Sequence, residues 1–123
     1  MTSSILIVED YDDARDYMVI ILQSYDFQVY QAANGCEALK AVIECHPDLI
    51  LMDISMPVMD GLEATRAIRK LSSEFSRIPI IALTAFDKSY HLKAMDAGCN
   101  GVIGKPVNFD ELDQVIKKHI RFS

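Results

Sequence analysis

Residues 49–53 read Leu49-Ile50-Leu51-Met52-Asp53, four apolar side chains in a row and then a carboxylate. A strand whose side chains all avoid water, with no alternation, is buried on both faces. Such strands belong to parallel sheets covered by helices on each side. The acid comes where the strand runs out.

The same grammar repeats on either side. Ile5-Leu6-Ile7-Val8 is an apolar, β-branched-rich run followed by Glu9-Asp10. Phe27 to Ala32 alternates as a second strand, Ile78 to Leu83 is a fourth ending in Thr84-Ala85, and Gly101-Val102-Ile103 is a fifth before Gly104-Lys105-Pro106. Between them lie segments with apolar residues at helical spacing. From Asp12 to about Gln23 these are Ala14, Tyr17, Met18, Ile21 and Leu22, and a second helix spans about Cys36 to Cys45 after the Asn34-Gly35 turn. Leu62, Ala64, Thr65, Ile68 and Leu71 mark a third, and Lys88 to Ala97 a fourth that stops at Gly98. A fifth is capped by Asn108 or Asp110 and carries Leu112, Val115, Ile116 and Ile120. Strictly alternating strands and helices predict an α/β, doubly wound five-stranded parallel sheet with five helices, covered on both faces.

The 123 residues fit one domain, 1–123, with no linker, repeat or low-complexity segment. Half the residues are hydrophobic, yet no apolar run approaches the roughly 20 needed to cross a bilayer. Membrane insertion is therefore not expected, and Met1-Thr2-Ser3-Ser4 lacks the basic start of a signal peptide. Cys36, Cys45 and Cys99 are odd in number and scattered, which suggests reduced thiols, small apolar buried groups and a cytoplasmic location. A net charge of −6 argues against direct nucleic-acid binding. His46, His91 and His119 are isolated and read as solvated.

In open α/β sheets the ligand site lies beyond the carboxyl ends of the strands. Glu9, Asp10, Asp53, Thr84 and Lys105 all fall there. Clustered carboxylates raise at least one pKa unless a cation intervenes. A hard cation with oxygen ligands answers this, and Mg²⁺ suits a few carboxylates completed by water and phosphate oxygens. So neutralised, a carboxylate can act as a nucleophile toward phosphorus. Lys105 offers a point charge and Thr84 a hydroxyl donor for phosphoryl oxygens.

These motifs, together with Leu51-Met52-Asp53-Ile54-Ser55-Met56-Pro57, Asp60-Gly61 and Ala82-Leu83-Thr84-Ala85, resemble those of a response regulator receiver domain of two-component signalling, of the chemotaxis-regulator type. The resemblance covers the whole chain and implies a flavodoxin-like sheet in the order 2-1-3-4-5. It implies that Asp53 is the phosphoacceptor and Asp10 the direct Mg²⁺ ligand, with Glu9 acting partly through water and Ser55 lending its backbone carbonyl. It makes Thr84 the switch hydroxyl and Lys105-Pro106 a cis bond, and it places Ala85, Phe86 and Val102 at switch or tuning positions. Val102 departs from the family, which often has Tyr or Phe there, and a bulky Phe86 could shield the phosphoryl group from water.

By the same resemblance the chain is a phosphoacceptor signalling domain that promotes its own phosphorylation and dephosphorylation. Its donor is a phosphohistidine on a sensor histidine kinase or histidine phosphotransfer protein. Its output is a surface on the fourth helix, fifth strand and fifth helix, read by a downstream protein target or output domain. Three other readings compete. A flavin-binding protein needs a Ser/Thr/Gly-rich loop where Glu9-Asp10-Tyr11-Asp12-Asp13 stands. An aspartate-nucleophile hydrolase needs an acid where Ser55 stands. An unphosphorylated scaffold does not need the complete acid–lysine set.

Overall fold

Side chains along a strand alternate between faces, so each strand of a doubly covered sheet feeds two cores. The computed structural model describes residues 3–54, 56, 59–85 and 88–120. Its elements run β1 Ser4–Val8, α1 Asp12–Ser24, β2 Gln28–Ala32, α2 Gly35–Cys45, β3 Leu49–Asp53, α3 Gly61–Arg69, β4 Ile80–Thr84, α4 Lys88–Ala97, β5 Gly101–Gly104 and α5 Phe109–His119. The five strands pair in parallel, as the alternating pattern predicts, in the order β2-β1-β3-β4-β5 that the family resemblance implies.

The two cores follow the alternation. Ile5, Ile7, Leu49, Leu51, Ile81, Leu83 and Ile103 face α1 and α5, where they meet Met18, Leu22, Leu112 and Ile116. Leu6, Val8, Ile50, Met52, Ile80 and Ala82 face the other way, onto Ala38, Val42, Ala64, Ile68 and Ala94 of α2, α3 and α4. β1, β3 and β4 are buried at every position, which explains their unbroken apolar runs. β2 lies at an edge with a mixed pattern, so its sequence alternates.

Local chemistry sets the helix ends. The Asn34 side chain accepts from the Glu37 amide at 2.9 Å, and Asp60 does the same for Glu63 at 2.9 Å. At α5 the cap is Asn108, which accepts from the amides of Asp110 and Glu111, so Asp110 is a first-turn acid and not the cap. Gly98 ends α4 with φ of 115°, a conformation that favours glycine.

Several expectations need correction. β4 begins at Ile80, not Ile78. Pro79 has no amide hydrogen, and the Ile78 carbonyl is taken by Arg69. Arg69 Nη1 donates to the carbonyls of Ser76 and Ile78, Nε to Gly98 and Nη2 to Asn100 Oδ1. This one guanidinium gathers three chain segments at the end of the sheet away from the strand carboxyl ends. Cys36 is exposed and Cys45 half-buried, and Cys99 alone of the three is buried, with Sγ 3.7 Å from the Thr65 hydroxyl. His46 is not isolated: it pairs with Glu74 at 3.1 Å and its ring tilts against Phe75.

Removal of Arg69 leaves three carbonyls without their charged donor. Arg69→Ala is expected to lower unfolding free energy by about 3 kcal/mol, from lost charge-assisted bonds and unpaired carbonyls. Breaking the exposed Arg15–Asp12 pair through Asp12→Ala should change it by about 1 kcal/mol or less. Urea denaturation of both variants checks the ranking.

Candidate functional site

Strand register delivers the acids to one place. Val8 pairs with Met52, so the next residues, Glu9 and Asp53, leave adjacent strand ends together. The Glu9 amide donates to the Ala32 carbonyl at 3.0 Å, which extends the β1 pairing one residue further and carries Glu9 into the interior. Glu9 and Asp53 are 2% and 3% exposed, an unusual burial for two carboxylates. Beneath Asp53 the chain passes tightly: a Cβ at Gly61 would overlap the Asp53 carbonyl, and the Gly61 amide donates to Ile54 at 3.1 Å. Glycine there lets α3 start directly against the end of β3.

Lys105 arrives from β5. Its amide donates to the Thr84 carbonyl at 2.8 Å, and the following bond to Pro106 is cis, as the family resemblance implies. Its half-buried ammonium donates to Glu9 Oε1 at 3.0 Å and to Asp53 Oδ1 at 3.1 Å. The lysine therefore bridges the two buried acids. Asp10 is exposed and opens onto the same cleft, which Tyr11, Ala14, Ala85 and Lys105 also line. Thr84 is buried at the end of β4, and by alternation falls on the α2–α4 side of the sheet. Val102 is partly buried against that same core, alongside Tyr90. Ser55 and Phe86 lie outside the described residues.

The charges explain the titration behaviour. Burial pushes the Asp53 carboxyl up to about 7; the neighbouring Glu9 adds to this and Lys105 opposes it. For Glu9 burial is again the largest influence, but its hydrogen bonds with Asp53 and Lys105 outweigh it and hold this acid below its usual value. Burial disfavours the Lys105 ammonium, yet the two carboxylates more than offset that and raise it. Glu9 and Asp53 thus titrate as a pair in which Asp53 holds its proton the more tightly, as expected of clustered acids.

The donor set is one of hard oxygens. Glu9, Asp10 and Asp53 can each offer a carboxylate oxygen, all within 4.8 Å of one another. Three carboxylates against one ammonium fit a divalent cation of the Mg²⁺ kind. Nothing in residues 12–24 singles out Arg15 by pattern, yet its Nη1 donates to the Glu9 carbonyl at 2.9 Å.

Residues 5–117 match the family model described as the response regulator receiver domain. The polar-differentiation response regulator DivK of Brucella ovis is 35% identical over 98% of both chains. Among solved structures, the receiver domain of sensor histidine kinase PA1611 from Pseudomonas aeruginosa, with magnesium in its active-site cleft, superposes with a TM-score of 0.89. It is 33% identical and covers 97% of this chain and 98% of that one. The receiver domain of Saccharomyces cerevisiae Ssk1, crystallised with the phosphotransfer protein Ypd1, gives a TM-score of 0.88. It is 32% identical over 96% of this chain and 88% of that one.

The titration has a sign that can be tested. Asp53 binds its proton more tightly folded, near 7, than at its ordinary value of 3.8, so ionising it opposes folding. Its favourable contribution is complete below about 3.8 and is lost as pH rises through about 7. In metal-free buffer, Asp53→Asn should melt higher than the parent at pH 8, and the gap should close toward pH 4. A pH series of thermal melts with a chelator present gives the comparison.

Proposed function

The chain belongs to the response regulator receiver domain family, and from that membership we propose that Asp53 is the phosphoacceptor of a Mg²⁺-dependent signalling switch. The observation that carries this reading is the Lys105 ammonium held 3.0 Å from Glu9 and 3.1 Å from Asp53 in an acidic cleft. An ordinary surface lysine does not reach between two buried acids.

Each residue has a task. An Asp53 oxygen attacks the phosphorus of a phosphohistidine; the P–N bond breaks and its electron pair returns to the imidazole, leaving an acyl phosphate. Lys105 places positive charge against the incoming phosphoryl oxygens, where little covalent help is needed. Thr84, at the end of β4, donates its hydroxyl to a phosphoryl oxygen. Glu9, Asp10 and Asp53 would hold the cation, with the Ser55 carbonyl added by the family resemblance. Bound Mg²⁺ supplies the charge that keeps the carboxylates ionised and offsets the phosphoryl oxygens. The magnesium in the related PA1611 receiver supports this choice of ion.

The donor is a histidine kinase or a phosphotransfer protein, a reading supported by the Ssk1 receiver's complex with Ypd1. The modified state shifts an equilibrium read at α4, β5 and α5, with Ala85, Phe86, Val102 and Pro106 tuning it, and a downstream protein partner senses the change. No helix among the described residues is long and apolar enough to cross a membrane. A cytoplasmic setting suits free cysteines and a phosphohistidine donor.

Phosphoryl incorporation from a small acyl-phosphate donor tests the assignment. The parent should label with Mg²⁺ and lose most labelling with chelator, and Asp53→Asn should stay at background. Equal labelling of parent and Asp53→Asn would refute it. Lys105→Ala should label at least tenfold more slowly, as the loss of a buried charge facing the reacting group requires.

A further inference from the structure

The acidic loop after β1 has no side-chain cap. Tyr11 is the N-cap residue of α1 and offers no capping hydrogen bond, and the acids on either side of it are Asp10 and Asp12. The Tyr11 amide reaches back to Glu9 Oε2 at a long 3.5 Å, and Arg15 adds shorter anchors. Its Nη1 donates to the Glu9 carbonyl at 2.9 Å, its Nη2 to Asp12, and its Nε to Gln31 Oε1 on β2 at 3.3 Å. The side chain is 15% exposed, so the fork is shielded while its Asp12 partner is 79% exposed.

The Glu9 carbonyl belongs to the peptide that joins Glu9 to Asp10. Fixing it fixes the rotation of that peptide plane, and with it the direction in which Asp10 leaves the backbone. Glu9 is already held by Lys105 and by burial. Asp10 is exposed and has no comparable enclosure. We propose that Arg15 is a positioning residue for the cation site: it locks the Glu9–Asp10 peptide so that the Asp10 carboxylate faces Asp53 before metal arrives. This rests on the Mg²⁺ site proposed above.

Two physical effects oppose each other at Arg15. Its positive charge lies close to the cation site, so Coulomb repulsion alone would make its removal tighten Mg²⁺ binding. Loss of the carbonyl anchor lets Asp10 wander and weakens binding, typically by tenfold or more for residues that orient a ligand. The sign of the change therefore separates positioning from charge.

The test is isothermal titration of Mg²⁺ into the metal-free parent and Arg15→Ala, with amide hydrogen exchange at Asp10 and Tyr11 in the metal-free proteins. The expected result is a dissociation constant about tenfold weaker and faster exchange at both amides. An unchanged or tighter constant overturns the proposal, as does unchanged exchange. Where Arg15→Ala fails to fold, Arg15→Gln is read by the same outcomes. A parent that binds no Mg²⁺ refutes the cation site itself, and this inference with it; a parent that binds beside an equally competent variant refutes only the role of Arg15.

Discussion

Two carboxylates buried side by side on a single lysine set the terms for this molecule. Glu9 and Asp53 share Lys105, whose ammonium reaches both at about hydrogen-bond length. With Asp10 at the mouth of the cleft, three acids face one ammonium. A buried charge left unpaired is strongly unfavourable, so the site must take up a proton or a divalent cation. The raised Asp53 carboxyl is the proton solution. The oxygen-only donor set is the cation solution. The proposed switch stands between these two states.

The sheet exists, for this purpose, to hold strand ends in register. Among the described residues the buried polar or charged side chains are Ser4, Glu9, Asp53, Thr65 and Thr84. Three of these sit at the carboxyl ends of β1, β3 and β4, where strand hydrogen bonding ends. Ser4 is explained by its bond to Asp48 and Thr65 by Cys99, both remote from the cleft. Glu9 and Asp53 instead converge on Lys105 at the mouth of the cleft, an arrangement that fits chemistry better than packing. Gly61 and the Lys105 amide bond to Thr84 then fix the rim from below and from the side.

Much of this was legible in the residues. Unbroken runs such as Leu49–Met52 reveal strands buried on both faces, and the polar residue after each run marks the rim. Which acid Lys105 holds was not legible, because Glu9 and Asp10 are adjacent and differ only in which way the strand's alternation turns them. The outcome sends Glu9 inward and Asp10 outward. The start of β4 was hidden for a different reason: Ile78 is apolar enough for a strand, but a distant guanidinium claims its carbonyl. Arg15 was hidden in the same way. Side-chain to backbone bonds between residues six or nine apart leave no periodic trace.

The division of the rim between the two cores bears on how a signal leaves it. Glu9 and Asp53 follow the alternation of the α1–α5 core, whereas Thr84 follows that of the α2–α4 core. Between them β1, β3 and β4 are buried at every position and close-packed. In the proposed switch, Thr84 is then the rim residue placed to couple a phosphoryl group on one side to α4 and β5 on the other. Val102 occupies the β5 position on that side, paired in register with Ala82 and partly buried against that core. A valine has a stiff, compact side chain with one strongly preferred rotamer and no ring to swing. In this chain, coupling on the α4 side must therefore run through backbone or helix movement rather than through rotation of a ring at residue 102.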